Sequence, residues 1–220
     1  MATRKTEAKR VRATHVAELL LVRAPAEDMA GYRPEMLKRA GELAEEAVRS
    51  HKRGESIVRI DRDSGVEREG RAVTLITVVN DNRPFLFDSV MGEVSDRVGE
   101  PFLVAHPVLM VRHGPDGVEE ILGDGGTARE AGADRLSVIH IHVRALSAEE
   151  AETLAERLQH VLAQVGAATT DWKPMLARLD HAISDFRYIP IALDQESIAE
   201  AIAFLEWLRD DNFTFLGMRE

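Results

Sequence analysis

The sequence predicts an α+β fold: an antiparallel sheet in strand, strand, helix, strand, strand, helix order, with a helix before it and a helical extension after it. Three observations predict this. Apolar spacing alternates between period two and period 3.6 along residues 34–165, the signatures of strands and helices. Glycine, proline and acidic clusters separate the segments. Each pair of strand-like runs is followed by one helical run, so two crossovers are covered by helices.

The elements follow in order. Pro34 to Lys52 carries Met36, Leu37, Ala40, Leu43, Ala44, Ala47 and Val48 at helical spacing, opened by a proline that the first turn tolerates. "SIVRID" at 56–61 is a short strand whose charges suit a sheet edge, and "RAVTLITVVN" at 71–80, apolar on both faces, suits a central strand. The two are expected to form a hairpin. Phe85, Leu86, Val90, Met91, Val94 and Val98 return to helical spacing from Pro84, and Gly99 supplies the stop. "PFLVAHPVLMVRHG" from Pro101 reads as a strand that Pro107 pushes to an edge or a bulge.

Gly114 to Asp134 holds six glycines and only "VEEIL" as a strand-like piece, so it reads as a mobile loop. "RLSVIHIHVRAL" alternates as a strand, and Ser147 with Glu150 has capping-box spacing ahead of a helix reaching about Val165. This order is the ferredoxin-like one with its last strand moved to the front. It places the strand at 56–61 on one edge and the proline-bearing strand at 101–112 on the other. Beyond Gly166, "TTDWKPMLARLDHAISDFRYIP" at 169–190 reads as a helix closed by Pro190, and "DQESIAEAIAFLEWLRDDNF" at 194–213 as a second, amphipathic helix capped by Asp194. "FTFLGMRE" at the end reads as a strand cut short. The expected organisation is a disordered basic tail at 1–14, an α+β domain at 15–166, and a helical extension at 167–220.

Composition narrows the function classes. With 220 residues, 45% apolar and 30% charged, the chain can bury a core without disulfide or metal staples. Its 38 acids against 28 bases give a net charge of -10, which repels a phosphate backbone, so no nucleic-acid partner is expected. The basic cluster of Arg4, Lys5, Lys9, Arg10 and Arg12 reads as a solvated tail. Cysteine is absent, which excludes thiolate metal sites and suits a reducing compartment, so a cytoplasmic location is expected. No apolar run reaches membrane-spanning length, so no membrane partner is expected.

Two segments carry a resemblance. "VVNDNRPFLFDSVMGEV" at 78–94 and "AFLEWLRDDNFTFLGMRE" at 203–220 resemble the N-terminal region of the large bacterial NAD-specific glutamate dehydrogenases. The resemblance implies an ACT-like domain with a regulatory or assembly role in a homo-oligomer. It also implies a catalytic domain downstream in the same chain that converts L-glutamate to 2-oxoglutarate and ammonium with NAD as cofactor.

The residues themselves suggest no catalysis here and no cofactor in this stretch. Dinucleotide binding needs a glycine-rich turn between strand and helix, and "GDGGTA" from Gly123 lacks both the spacing and the helix. Glu42, Glu45 and Glu46 read as solvated acids on a helix face. Glu206 and Asp210, beside Trp207, lack a partner histidine or nucleophile.

The candidate site is the loop and helix start comprising Asn80, Asp81, Asn82, Arg83, Pro84, Phe85, Asp88 and Ser89. As an effector site, its helix amides would hold the carboxylate of an amino acid. As a structural loop, Asp81 or Asn82 caps the helix while Phe85 and Phe87 pack in the core. The structural reading is preferred, because amino-acid-binding ACT modules commonly place glycine where this chain has Phe85. His106, His140 and His142 are expected on one half-exposed sheet face, where they are more readily polar contacts than a metal site. A regulatory and assembly region of the dehydrogenase is therefore expected. The alternatives are a stand-alone amino-acid-sensing ACT-type protein or, last, a small enzyme using the histidine face.

Overall fold

The computed structural model describes residues 16–22, 24–126, 130–170, 172–188, 194–212 and 215. Two compact units divide at Leu162 and Ala163. The expected basic tail and nearly all of the expected final strand fall outside the described residues.

The first unit is α+β. Helices α1 (Val16–Leu21), α2 (Ala26–Met29) and α3 (Pro34–Ser50) precede the sheet. The sheet strands are β1 (Ser56–Asp61), β2 (Glu67–Arg68), β3 (Arg71–Asp81), β4 (Leu103–Ala105), β5 (Val108–His113), β6 (Val118–Asp124) and β7 (Asp134–Arg144). Helix α4 (Leu86–Val98) joins β3 to β4, and α5 (Ala148–Thr170) follows β7. The strand order is β1-β3-β7-β5-β6, with β2 pairing β3 and β4 pairing β7, and all these pairs are antiparallel.

The centre is β3 against β7, registered from Val73↔Arg144 to Asp81↔Leu136. Eight consecutive residues of β3, Val73–Asn80, are buried, as in a strand covered on both faces. Side chains alternate across a strand, so Val73, Leu75 and Val79 share a face with Leu136 and Val138. That face packs against Leu20, Tyr32, Leu43, Ala44, Ala47 and Val48 of the N-terminal helical layer. The opposite face carries Ile76, Val78, Ile139 and Ile141, all buried, and α4 lies on β7 with Leu86, Val90 and Val94 buried. Arg157 of α5 bonds Glu93 of α4 at 3.1 Å.

The edge assignments need correction. β1 is an edge as expected, and Arg59 reaches Glu46 of α3 at 2.9 Å. The strand expected over 101–112 is two pieces in one register, since Ala105↔His140 and Val108↔Ser137 continue a single ladder. Val138 donates to the Pro107 carbonyl at 3.1 Å, but proline has no N–H to return. β6 covers β5, so Leu103–Pro107 lies at the edge and Val108–His113 does not. Residues 118–124, expected within a loop, are that outer strand. Val118 and Ile121 are buried on either side of exposed Glu119 and Glu120, and a register shift between Arg112 and His113 absorbs the break in strand alternation.

Caps decide the helix ends. Ser147 and Glu150 form the reciprocal capping box, with the Ser147 amide donating to Glu150 at 2.7 Å and the Glu150 amide to Ser147 Oγ at 3.1 Å. α5 runs on to Thr170, past the expected end near Val165. In the second unit, α6 (Trp172–Tyr188) buries Met175, Leu179 and Ile183. α7 (Gln195–Trp207) is capped by Asp194, which accepts from the Ser197 amide at 2.8 Å, and a π-helical turn follows over Leu208–Asn212. No helix among the described residues is long and apolar enough to cross a membrane.

Gly41 lets α1 lie directly on α3. A Cβ there would stand 2.3 Å from the Ala17 Cβ and 2.6 Å from its Cα. Gly41→Ala should therefore destabilise the chain by about 1–3 kcal/mol, the usual cost of overpacking, despite alanine's better helix propensity. Urea midpoints check this, and a gain in stability would contradict the close approach.

Candidate functional site

The loop from Asn80 to Ser89 joins β3 to α4 and differs from its expected form. Asp81 does not cap the helix; its Oδ2 accepts from the Gly54 amide at 3.0 Å and lies 3.8 Å from Arg83. The Asn82 amide donates to the Arg135 carbonyl at 2.9 Å. Asn80 is buried, and its amide nitrogen donates to Ser56. The N-cap position is Phe85 itself, in the left-handed region at φ 66°, with no side-chain capping bond. The residue is 49% exposed. Phe85 is therefore not a core residue, and the expectation that it packs under the helix is overturned.

A non-glycine residue in this region costs about 1–3 kcal/mol, and here it has no side-chain oxygen to satisfy the first-turn amides. Pro84, Asp88 and Ser89 complete the loop, with Asp88 in the first turn and the Ser89 amide donating to the Phe85 carbonyl at 3.1 Å. Phe87 is the ring that packs, stacked on His106 at 4.8 Å.

The three expected histidines do not share a face. His140 and His142 lie opposite Thr77 and Leu75, on the face covered by α1–α3. His106 hydrogen-bonds Ser137 Oγ at 2.8 Å, on the α4 face. The expectation of a half-exposed face also fails, because His140 is 1% exposed and His142 fully buried. The N-terminal helices form a second layer that the sequence reading did not place over this face.

His140 Nδ1 meets Thr77 Oγ1 at 2.9 Å, and its Nε2 shares a hydrogen with His142 Nε2 at 3.0 Å. His142 Nδ1 has no hydrogen-bond partner among the described residues, and the ring stands edge-on to Tyr32. Burial pushes the His140 imidazole down to about 4, and burial together with His140 pushes His142 well below the usual histidine range. Burial likewise raises the Tyr32 phenol to about 12.

A second histidine pair escaped the sequence reading. His51, the C-cap of α3, faces His113 at the end of β5, and His113 faces Asp134 at the start of β7. Arg53 donates to the same Asp134 oxygen at 2.7 Å. These residues lie far apart in sequence, and no spacing rule joins them; only the sheet order brings them together. Among the described residues no group of three or more His, Cys, Asp or Glu could hold a metal ion.

An antiparallel sheet with helices on both faces and a glycine-free strand-to-helix turn defines a non-Rossmann α+β module. The sequence matches the family described as "Glutamate dehydrogenase, ACT1 domain" over residues 16–158. It is 30% identical over 148 residues to the NAD-specific glutamate dehydrogenase of Pseudomonas aeruginosa, and 35% identical over 150 residues to that of Halomonas elongata. Each match covers 67% of this chain and 9% of the relative, so the chain spans under a tenth of their length. The chain belongs to the glutamate dehydrogenase ACT1-domain family, the N-terminal region of the large NAD-specific glutamate dehydrogenases.

Two outcomes follow from this geometry. Phe85→Gly should stabilise the chain by about 0.5–1 kcal/mol, because relief of the left-handed backbone outweighs glycine's greater unfolded freedom. Phe85→Ala should change stability by less than about 1 kcal/mol, and a core-like loss of 3 kcal/mol or more in urea unfolding would contradict the exposed ring. The buried histidines set an acid limit. Both are neutral when folded and titrate near 6.5 when unfolded, so the unfolded chain binds more protons below that value. The stability contributed by keeping these two rings neutral should be fully present above about pH 6.5 and fall as pH drops toward about 4, by up to about 1.4 kcal/mol per pH unit for each ring. Denaturant midpoints across that window test it, and a flat profile would contradict neutral burial.

Proposed function

We propose that this chain is a regulatory and assembly region of an NAD-dependent glutamate dehydrogenase and is itself non-catalytic. The parent reaction, L-glutamate, NAD and water to 2-oxoglutarate, ammonium and NADH, then belongs to a downstream catalytic domain of the same chain. NAD is bound there, and this region uses no cofactor. The parent is a cytoplasmic homo-oligomer active in amino-acid catabolism. Family membership supports the parentage.

The observation that carries the non-catalytic reading is the antiparallel sheet. Dinucleotide sites of the Rossmann type lie at the carboxyl ends of parallel strands, beside a glycine-rich turn, whereas here β3 enters α4 through Asn82, Arg83, Pro84 and Phe85. The order β1-β3-β7-β5 supports a permuted ferredoxin-like, ACT-like module, to which β6 adds an outer strand. The edges at β1 and β6 are suited to assembly with a second copy.

A second reading, an amino-acid-sensing ACT-type binding protein, draws on the Asn80–Ser89 loop. The first turn of α4 has no side-chain cap, and such amides suit a carboxylate. One set of titrations separates the readings. NADH fluorescence should show no saturable micromolar binding, and glutamate should not be turned over; either activity would remove the non-catalytic reading. A thermal-shift screen of amino acids tests the loop, since an effector at a hundred times its Kd stabilises the fold by about 2.7 kcal/mol. Sedimentation should show self-association, and a monomer at high concentration would count against assembly.

A further inference from the structure

Three polar contacts run in series from the turn after α3 to the start of β7. His51 Nε2 faces the Glu55 carbonyl oxygen at 2.9 Å, His51 Nδ1 faces His113 Nε2 at 3.0 Å, and His113 Nδ1 faces Asp134 Oδ2 at 2.8 Å. Both ends are acceptors, because neither a carbonyl oxygen nor an ionised carboxylate carries a hydrogen. Three hydrogen bonds therefore need three N–H hydrogens, and two neutral imidazoles hold only two. With two, one contact sets lone pair against lone pair. His51 is fully buried and the His113 side chain is 3% exposed, so water has little access to repair the gap, and an unmade buried contact is costly.

We propose that His51, His113 and Asp134 form a proton-gated clamp, closed when the histidine pair carries one proton beyond its neutral complement and open when that proton leaves. Asp134 does not supply the hydrogen. Burial pushes its carboxyl up, but the bonds from His113 and Arg53 outweigh this and hold it below the usual carboxylate range. Burial pushes His51 down, and with the outer hydrogens directed to Glu55 and Asp134 the third hydrogen lies in the contact between the two rings.

The surrounding charges are mixed. Asp134, Asp81 and Glu55 favour the proton, while Arg53 on Asp134 and Arg83 beside Asp81 oppose it. Arg49 of α3 is engaged by Glu45 at 2.8 Å, and Arg112 of β5 turns outward to Glu120.

The clamp joins chain segments distant in sequence. His51 ends α3, Glu55 leads into β1, His113 ends β5 and Asp134 opens β7. The β5–β6 turn lies on the same corner: at Gly117, with φ 144°, a Cβ would stand 2.2 Å from the Arg49 carbonyl oxygen. Loss of one proton removes one link among the end of α3, the end of β5 and the start of β7.

Nitrogen NMR of the histidine rings in the whole chain, titrated from about pH 5 to 9 across the ordinary histidine range, tests the clamp. At the acid end of the closed state, three of the four ring nitrogens of His51 and His113 should carry hydrogen, and one proton should leave in a single step that both rings report. Asp134→Asn should lower the midpoint by at least about one pH unit, tenfold in proton affinity, because the amide can turn its own N–H toward His113. Arg53→Gln alters a side chain that is 60% exposed and should raise the midpoint, which keeps the test available if Asp134→Asn does not fold. Above the midpoint, the Asp134 amide should exchange about fivefold faster after correction for base catalysis, the effect of one hydrogen bond of ordinary net strength. Two hydrogens on the pair at every pH, or a midpoint unmoved by Arg53→Gln, overturns the proposal.

Discussion

The pairing of β3 with β7 constrains the rest of the molecule. Both strands run eleven residues and meet over nine registered positions, and each is buried on both faces along most of that length. A strand pair with two apolar faces is stable in water only when both are covered. The helices α4 and α5 follow the two long strands, and α4 lies on one face. The other face needs a layer from elsewhere, and α1, α2 and α3 provide it. The N-terminal segment is therefore part of the core, with Leu20, Tyr32 and Leu43 touching the same sheet as Leu75 and Val138.

That second layer changes the chemistry of the residues beneath it. Thr77, His140 and His142 would be ordinary polar groups on an open sheet. Covered, they must satisfy one another, and they do so through two hydrogen bonds that leave His142 Nδ1 unmatched among the described residues. The same covering depresses the two imidazoles and ties the stability of the fold to pH. Polar residues in a sheet core thus report how many layers lie above them.

Local rules read the elements well, and long-range packing was the harder part. The helix from Pro34, the Ser147–Glu150 box and the Asp194 cap each rest on residues within a few positions of one another, where spacing carries the information. β6 was missed because six glycines lie across 114–134 and the bulged "VEEI" breaks the period of two. The face shared by His140 and His142 followed from strand period, but their burial depended on helices far away in sequence. Phe85 was misplaced because an aromatic beside a helix usually packs; its left-handed backbone turns the ring outward and leaves Phe87 to pack on His106. The His51–His113–Asp134 series had no local signal at all. The Asn80–Ser89 loop was legible as a position, while its uncapped helix start was not.

Pro107 sits in the ladder between β4 and β5 without shifting its register, so the sheet has one missing rung. A ladder bends most readily where a rung is absent. Here Leu103–Ala105 and Val108–His113 keep one register on β7 across that gap. Beside that gap, His106 is gripped by Phe87 on one side and Ser137 on the other. His106 thus ties the strand beside the missing rung both to β7 and to α4, and replacing it would remove that tie without removing any of the sheet's strands.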